Sequence, residues 1–242
     1  LQSLEECLKK TTKLVVLSHV LWNTGQVIPI AEIGKRLRDH PNKPFLAIDA
    51  AQSFGQLPIE NDAREADIYA FTGHKWACGP EGLGGVVLSQ RVLEESRPTL
   101  VGWRTLKNEN VSIHQQEENF HQDSRRFEIA TSCIPLLAGL RCSLNLLEKE
   151  DHSFNRIKRI CSYSEYLWTK LQSIKGIKTL LSNPPKSGLV SFYLSKKQST
   201  RNFVKSLGGK NIWIRSLEEP SSLRACLHVM SNYEEIDILV SA

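Results

Sequence analysis

The sequence predicts an α/β protein whose main domain is built on a mostly parallel β-sheet. A continuous apolar run, Lys13–Val20, is typical of a strand that is covered on both faces. A helical pattern over Ile30–Arg38 separates this run from a second apolar strand, Phe45–Asp49, and such strand–helix–strand order is typical of parallel sheets. Two more strands are predicted, at Ala66–Phe71 and at Gly85–Leu88.

The rest of the chain predicts a second, smaller α/β domain. After an irregular polar stretch from residue 97 to residue 123, amphipathic helices are predicted over Ile134–Glu148 and His152–Ile174. We place the domain boundary near residue 150, which gives domains of residues 1–150 and 151–242. In the second domain we predict strands at Ile177–Leu181, Leu189–Leu194, Ile212–Arg215 and Leu223–His228, and helices at Ser199–Leu207 and from Glu234 onward.

Composition narrows the class of protein. With 242 residues, 40% of them hydrophobic and 24% charged, the chain is large enough to bury a sizeable core. Its net charge of +5 comes from scattered lysines and arginines without a long basic block, which argues against a nucleic-acid-binding protein. The sequence contains no run of 18 apolar residues, so no membrane span is predicted. The first residue is Leu1 rather than Met, so we expect N-terminal sequence to be missing.

The six cysteines indicate where the protein acts. They show neither a C-x-x-C pair nor the spacing of a zinc site, so we predict no metal ion. Scattered thiols in an enzyme-like chain favour a reducing, cytoplasmic location.

A lysine in a short polar turn is the strongest chemical signal. The turn Thr72-Gly-His-Lys75 lies between two apolar runs, so we expect Lys75 to be partly buried and its amine to be reactive. The alternative is a lysine that only extends out of a turn into solvent. Asp49 ends the preceding strand, and ligands of open α/β sheets bind at such strand ends. A carboxylate and a lysine at neighbouring strand ends match the needs of pyridoxal phosphate.

Together, Asp49-Ala-Ala-Gln52 and Thr72-Gly-His-Lys75 resemble the class V aminotransferase group of pyridoxal-phosphate enzymes, which includes the cysteine desulfurases. The segments His19–Val27, Thr72–Gly85 and Gly102–Arg104 most resemble its cysteine and cystine C–S lyases. The resemblance covers essentially the whole chain but about the last three-fifths of a typical member. It implies the fold type I architecture of pyridoxal-phosphate-dependent transferases, here the C-terminal part of the large cofactor-binding domain followed by the small α/β C-terminal domain.

The resemblance also implies roles for residues around the cofactor. Lys75 would be the catalytic Schiff-base lysine, and Asp49 would pair with the pyridine nitrogen. Gln52 would hydrogen-bond the 3-hydroxyl of the ring. Thr72 and His74 would hold the phosphate, which suits a dianion because both are directional donors. The alternatives are that Gln52 merely caps a turn and that His74 is a core histidine.

Two arginines are candidates for binding the substrate. Arg215 and Arg224 are predicted near the ends of two antiparallel strands joined by Ser216–Ser221, so a hairpin could bring them together. Arginine binds carboxylates through its two-pronged guanidinium group. The resemblance implies that Arg224 binds the α-carboxylate of the substrate. The alternative for both is a surface ion pair.

Three further site candidates are Trp103, Thr131 and Asn23. Relatives of this kind are usually homodimers whose sites borrow residues from the neighbouring subunit. By resemblance, Thr131 would reach the neighbour's phosphate and Trp103 would wall its substrate pocket, although a tryptophan that only packs a loop is as plausible. Asn23 would face cofactor or substrate from the end of the first strand.

The cysteine positions favour lyase chemistry over desulfurase chemistry. A desulfurase needs a mobile cysteine just before the arginine motif, and Gly208–Ser222 contains none. Cys226 lies two residues after Arg224 inside a predicted strand, which we interpret as the wrong place for a mobile nucleophile. We therefore predict α,β-elimination on cystine or cysteine, with cystine preferred, giving pyruvate, ammonia and a persulfide or sulfide. The alternatives are an aminotransferase, an epimerase, a desulfurase-like enzyme, or a truncated dimerising remnant without activity.

Overall fold

A computed structural model of the chain describes residues 2–108, 119–195 and 199–242. Residues 109–118 of the predicted irregular stretch lie outside this part. The described part of the first half contains four strands, β1–β4, at Leu14–Ser18, Phe45–Asp49, Ile68–Thr72 and Gly84–Leu88. Its helices, α1–α4, lie at Gln2–Cys7, Ile30–Asp39, Glu60–Glu65 and Gln90–Glu95.

The first sheet has the strand order β1-β2-β3-β4. Strands β1, β2 and β3 are mutually parallel, and β4 pairs antiparallel with β3. Parallel pairing of β1 with β2 follows from the intervening α2, because parallel neighbours need a crossover connection. Buried side chains of the sheet and of α2 share one core, with Ile30, Leu46 and Tyr69 at its centre. The strand–helix–strand prediction is confirmed.

The second half begins with two long helices, α5 (Ile134–Glu150) and α6 (Ser153–Gln172). Four described strands and two further described helices follow: β5 Ile177–Thr179, β6 Leu189–Leu194, α7 Thr200–Gly208, β7 Arg215–Glu218, β8 Ser221–Cys226 and α8 Tyr233–Ser241. The strand order is β5-β6-β8-β7, with every described pair antiparallel. Helices α6, α7 and α8 pack against this sheet around Leu167, Phe192 and Leu223. The proposed domain boundary near residue 150 stays a prediction.

The prediction for β7 is wrong in position. We expected a strand that ended at Arg215 and a loop over Ser216–Ser221, whereas the strand begins at Arg215 and runs to Glu218. Leu217 is 2% exposed and lies between two more polar neighbours, so side chains alternate between buried and exposed as they do in a β-strand. This alternation explains why the strand continues past Arg215. Only Glu219 and Pro220 are left to connect β7 with β8. The shorter connection brings the two strands into full register.

Hydrogen bonds join the two sheets at one edge. Ser187 Oγ donates to the carbonyl of Gly25 at 2.7 Å, and the backbone N–H of Gly188 donates to Gln56 Oε1 at 2.9 Å. Both Ser187 and Gln56 are buried. Since buried polar groups are costly unless they are paired, these bonds hold the carboxyl ends of β1 and β2 against the second sheet.

Candidate active site

A cleft of about 440 Å³ opens where the carboxyl ends of β1 and β2 meet strands β7 and β8. The side chains that line it come from both halves of the chain: Ser18, Val20, Trp22, Asp49, Ala51, Gln52, Lys75, Trp76, Arg215, Arg224 and Cys226. The structure therefore brings together five of the residues that the sequence singled out. They are Asp49, Gln52, Lys75, Arg215 and Arg224.

Asp49 is the last residue of β2 and faces the cleft. Its Oδ1 accepts a hydrogen bond from the backbone N–H of Ala51 at 2.9 Å, which fixes the orientation of the carboxylate. Strand β2 pairs with β3 in the register Asp49 to Ala70, so the two strands end side by side. This alignment explains why the carboxylate and the turn after β3 share a cleft.

The turn after β3 carries the lysine. The hydroxyl of Thr72 and Nδ1 of His74 are 2.6 Å apart, so the two side chains that the resemblance assigns to phosphate binding form a pair. The backbone N–H of Gly73 donates to the carbonyl of Leu83 at 2.9 Å, and that of Cys78 donates to the carbonyl of Lys75 at 3.0 Å. These bonds hold the turn closed from both ends.

Our expectation that apolar neighbours bury Lys75 is wrong, because the residue is exposed in this chain. The following strand, β4, has only partial cover. Val86 and Val87 on that strand are 43% and 46% exposed. Lys75 nevertheless lines the cleft, so its amine is accessible to a ligand that enters there.

Gln52 is oriented by a buried indole. Trp76 Nε1 donates to Gln52 Oε1 at 2.9 Å, and Trp76 is 6% exposed. The indole N–H is a donor only, so the amide oxygen of Gln52 must face it. The amide nitrogen is then left to donate to an oxygen atom inside the cleft. This geometry argues against a mere turn cap, since the amide is held by a partner 24 residues away.

Arg215 and Arg224 are direct cross-strand partners on β7 and β8. Residues opposite each other in an antiparallel pair lie on the same face, and like charges there repel. Arg224 is 8% exposed; its Nη1 donates to the carbonyl of Trp22 at 2.6 Å, and its Nε has no hydrogen-bond partner in the described residues. A buried, incompletely paired guanidinium opposite a second one is the arrangement expected of an anion-binding site.

Thr72 and His74 lie outside the cleft lining, and so do the three remaining candidates. Asn23 donates its side-chain amide to the carbonyl of Glu219 at 3.4 Å, beside the turn between β7 and β8. Trp103 is 49% exposed and lies next to the guanidinium of Arg104, 5.8 Å from its ring centroid. Thr131 is exposed just before α5. That Trp103 and Thr131 serve a neighbouring subunit stays a prediction.

Sequence reasoning missed Cys226 and Trp22 as cleft residues. Cys226 is exposed and forms part of the cleft wall, although we had set it aside as misplaced. The signal was available, since Arg224 and Cys226 are two positions apart on a strand and so share a face. Trp22 could not be assigned, because its place depends on the bond between its carbonyl and Arg224.

Neither a metal site nor a membrane span is found in the described part of the chain. In those residues, no group of three or more histidine, cysteine, aspartate or glutamate side chains is arranged to hold a metal ion. The helices of residues 2–108, 119–195 and 199–242 include none that is long and apolar enough to cross a membrane.

These features define a class of protein. The profile of the Aminotransferase class-V family matches residues 1–239, and the chain belongs to that family. Among solved structures, one resembles it with a TM-score of 0.91 and 38% identity over 99% of this chain and 63% of that chain; it is a complex of the cystine C–S lyase C-DES with its reaction product, cysteine persulfide. A mutant of C-DES, solved with glycine covalently linked to the pyridoxal-phosphate cofactor, matches equally well, with a TM-score of 0.91.

Other relatives carry desulfurase names. A probable cysteine desulfurase of Chlamydia muridarum is 30% identical, over 100% of this chain and 61% of its own length. The apo cysteine desulfurase of Thermococcus onnurineus shares the fold, with a TM-score of 0.81 at 24% identity. The chain therefore has the fold type I architecture of pyridoxal-phosphate enzymes and spans about three-fifths of the length of these relatives.

Proposed function

We propose that this chain is part of a pyridoxal-phosphate-dependent enzyme that cleaves a carbon–sulfur bond of cystine or cysteine by α,β-elimination. The observation that carries the proposal is the cleft itself. A strand-end carboxylate, an accessible lysine amine and two facing arginines line one space of about 440 Å³. The names of the relatives, cystine C–S lyase and cysteine desulfurase, support the same sulfur chemistry.

The polar side chains in the cleft and on the turn that carries Lys75 fit the cofactor. Asp49 keeps its second carboxylate oxygen available for a protonated ring nitrogen, because its first is engaged by Ala51 N. The amide nitrogen of Gln52, turned away from Trp76, suits a ring hydroxyl. The paired side chains of Thr72 and His74 suit a phosphate. When bound, pyridoxal phosphate supplies an electron sink for the negative charge that develops on the substrate Cα.

The chain's own residues bind the substrate and move its proton. Arg224 holds the α-carboxylate through its free N–H groups, and its fixed bond to Trp22 sets the direction of the fork. Lys75 Nζ takes the proton from the substrate Cα, as a general base must lie within hydrogen-bond reach of that proton. The Cβ–S bond then breaks, and sulfur leaves with the bonding electrons. Hydrolysis of the remaining three-carbon unit gives pyruvate and ammonia.

Cystine is the substrate that uses both arginines. It carries a second carboxylate, and Arg215 stands across from Arg224 to receive it. Its cleavage expels a persulfide, a better leaving group than a thiolate, so no cysteine nucleophile is required. This agrees with the absence of cysteine from Gly208–Ser222.

Cofactor binding is tested first, by titrating the purified chain with pyridoxal phosphate and following visible absorbance. Borohydride reduction should then fix the cofactor to the peptide that contains Lys75. The Lys75→Ala variant should lose this product, and Lys178→Ala, a variant of an exposed lysine on β5, should keep it. Attachment that persists in Lys75→Ala would contradict the assignment. If the chain takes up no cofactor, a binding or dimerising module without catalysis becomes the better hypothesis.

Product analysis then separates lyase from desulfurase and aminotransferase. Desulfuration is the second candidate, because of the relatives' names and because Cys226 lines the cleft. A lyase converts cystine to pyruvate and persulfide without any keto-acid acceptor. Desulfuration leaves alanine instead, and transamination depends on the acceptor. Alanine as the main product would refute the elimination.

We also propose that the active enzyme is a homodimer. Three large apolar side chains of α5 are exposed to solvent in the single chain: Ile134 at 64%, Leu137 at 42% and Leu146 at 62%. Ile134 and Leu137 are three residues apart and so share one face of the helix, and exposed apolar side chains of this kind favour contact with another protein surface. Sedimentation equilibrium of the purified protein measures the assembly state directly.

A further inference from the structure

The cleft wall carries a thiol that the proposed reaction does not use. Cys226 is the last residue of β8, it is exposed, and it lines the same cleft as Lys75 and the two arginines. A single cysteine has no function by virtue of its position alone. What distinguishes Cys226 is the set of side chains that share its face of the sheet.

The strand fixes the direction of the thiol. Cys226 and Arg224 are two residues apart on β8, so both side chains project from one face. Cys226 pairs with Leu189 of β6, which is fully buried and packs with Val20 and Trp76. The thiol therefore lies beside a buried apolar cluster. Arg215, which pairs with Arg224 on the other side, projects from the same face.

The charge around this thiol is positive and incompletely paired. Among the described residues that line the cleft, three carry a cationic side chain, Lys75, Arg215 and Arg224, and one, Asp49, carries a carboxylate. Arg224 is 8% exposed, and its Nε has no acceptor in the described residues. Such a buried, unpartnered donor calls for an anionic ligand, independently of the cysteine. The cleft thus offers a carboxylate site next to an accessible thiol.

We propose that Cys226 captures small carboxylate-bearing disulfides by thiol–disulfide exchange. The arginines hold a carboxylate of the disulfide, and the thiolate of Cys226 attacks the nearer sulfur atom. A new bond forms between Cys226 Sγ and that sulfur while the original disulfide bond breaks, and the other half leaves as a thiolate. The proton of Cys226 passes to solvent, and the disulfide itself is the oxidant.

The captured half would block the cleft. It remains anchored in the space in front of Lys75 until a second thiol attacks the mixed disulfide and restores Cys226. The chemistry requires only the thiol and the arginines, so it does not depend on the proposed elimination. A disulfide-bearing substrate that accumulated would then inhibit the enzyme reversibly.

The test compares two disulfide reagents on the purified protein. Dithiobis(nitrobenzoate) carries carboxylates, whereas dithiodipyridine is neutral at pH 8. The labelling rate of each cysteine is read by peptide mass spectrometry, with the exposed Cys7 and Cys142 as internal references. We expect the ratio of anionic to neutral labelling rates to be roughly tenfold higher at Cys226 than at the references, because a focused positive field raises the local concentration of anions. Added salt should reduce this preference.

Variants then assign the preference to the arginine pair. Arg215→Gln should remove most of it, and since Arg215 is exposed the fold should tolerate the change. Arg64→Gln, a change at an exposed arginine on α3, serves as the matched control and should leave it intact. A Cys226 that is not labelled at all would overturn the proposal. So would a Cys226 with the same selectivity as the references, or with a selectivity that survives Arg215→Gln.

Discussion

Replacement of Arg224 by methionine separates a ligand-binding role from a structural one. Arg224 is 8% exposed; among the described residues it makes one hydrogen bond, from Nη1 to the carbonyl of Trp22, and its Nε has no partner. Methionine keeps the length and removes the charge. Loss of the bond to Trp22 costs roughly 1.5–3 kcal/mol, whereas removal of the unsatisfied donor returns roughly 1–3 kcal/mol. We therefore expect the free energy of unfolding to change by no more than about 2 kcal/mol.

Catalysis should respond very differently. If Arg224 holds the α-carboxylate, Arg224→Met should lower kcat/KM for cystine roughly thirtyfold to a few thousandfold. This corresponds to a loss of about 2–5 kcal/mol of transition-state stabilisation. Arg224→Lys should not rescue it, since an ammonium group cannot reproduce the planar fork. Urea denaturation measures the stability, and pyruvate release by the cofactor-loaded enzyme measures the rate. A variant that loses more than about 3 kcal/mol of stability but keeps its kcat/KM would show that Arg224 stabilises the fold and does not bind the substrate.

Two further changes test the supports of the cleft. Trp76→Phe removes the indole donor to Gln52 and should cost about 0.5–1.5 kcal/mol of stability in urea, with weaker cofactor affinity in titration; unchanged affinity would mean that the orientation of Gln52 does not matter. Gly25→Ala should cost about 2–5 kcal/mol, because Gly25 has a φ of +79° and a Cβ would lie 2.1 Å from the carbonyl oxygen of Leu189. Gly176→Ala, at a φ of +95° with nothing within 4 Å, is the control and should cost only about 1–2 kcal/mol; equal losses at both would contradict the close approach.

The elements around the cleft were predictable because their signals are local. Strand β2 was placed at its observed bounds, Phe45–Asp49, since an apolar run with a terminal carboxylate needs no tertiary information. The common cleft of Asp49 and Lys75 followed from the rule that ligands bind at strand ends. The exposure of Lys75 was not predictable, since it depends on how completely β4 is covered rather than on the residues beside the lysine.

The bounds of β7 could not be predicted from the sequence. The hairpin that brings Arg215 and Arg224 together was expected, but the apolar pattern near Leu217 was too short to fix where the strand begins. Cys226 was also missed as a cleft residue. It lines the cleft because it projects from the same face of β8 as Arg224. The buried cluster of His19, Tyr69 and Ser53 was also missed, because its members are far apart in sequence and join only in the fold.

That cluster predicts how stability depends on pH. His19 is 2% exposed; its Nδ1 lies 2.7 Å from the hydroxyl of Tyr69, and its Nε2 lies 3.7 Å from Asp62 Oδ2. Burial lowers the pKa of His19 below its usual value of 6.5, and the charge of Asp62 offsets only part of that shift. As pH falls below 6.5, His19 becomes protonated in the unfolded chain but stays neutral in the folded chain. The free energy of unfolding therefore declines, by up to about 1.4 kcal/mol per pH unit, until the pH reaches the pKa of His19 in the folded chain.

Urea unfolding between pH 7.5 and pH 5 measures this decline, and three variants assign its cause. His19→Gln should remove the contribution of His19 to the slope. Tyr69→Phe should keep it, because burial, the largest cause of the lowered pKa, persists when only the hydroxyl is removed. Asp62→Asn should extend the decline to lower pH, since the charge that favours the protonated ring is gone. A slope that survives His19→Gln, or that disappears in Tyr69→Phe, would show that the burial of His19 is not what links folding to pH.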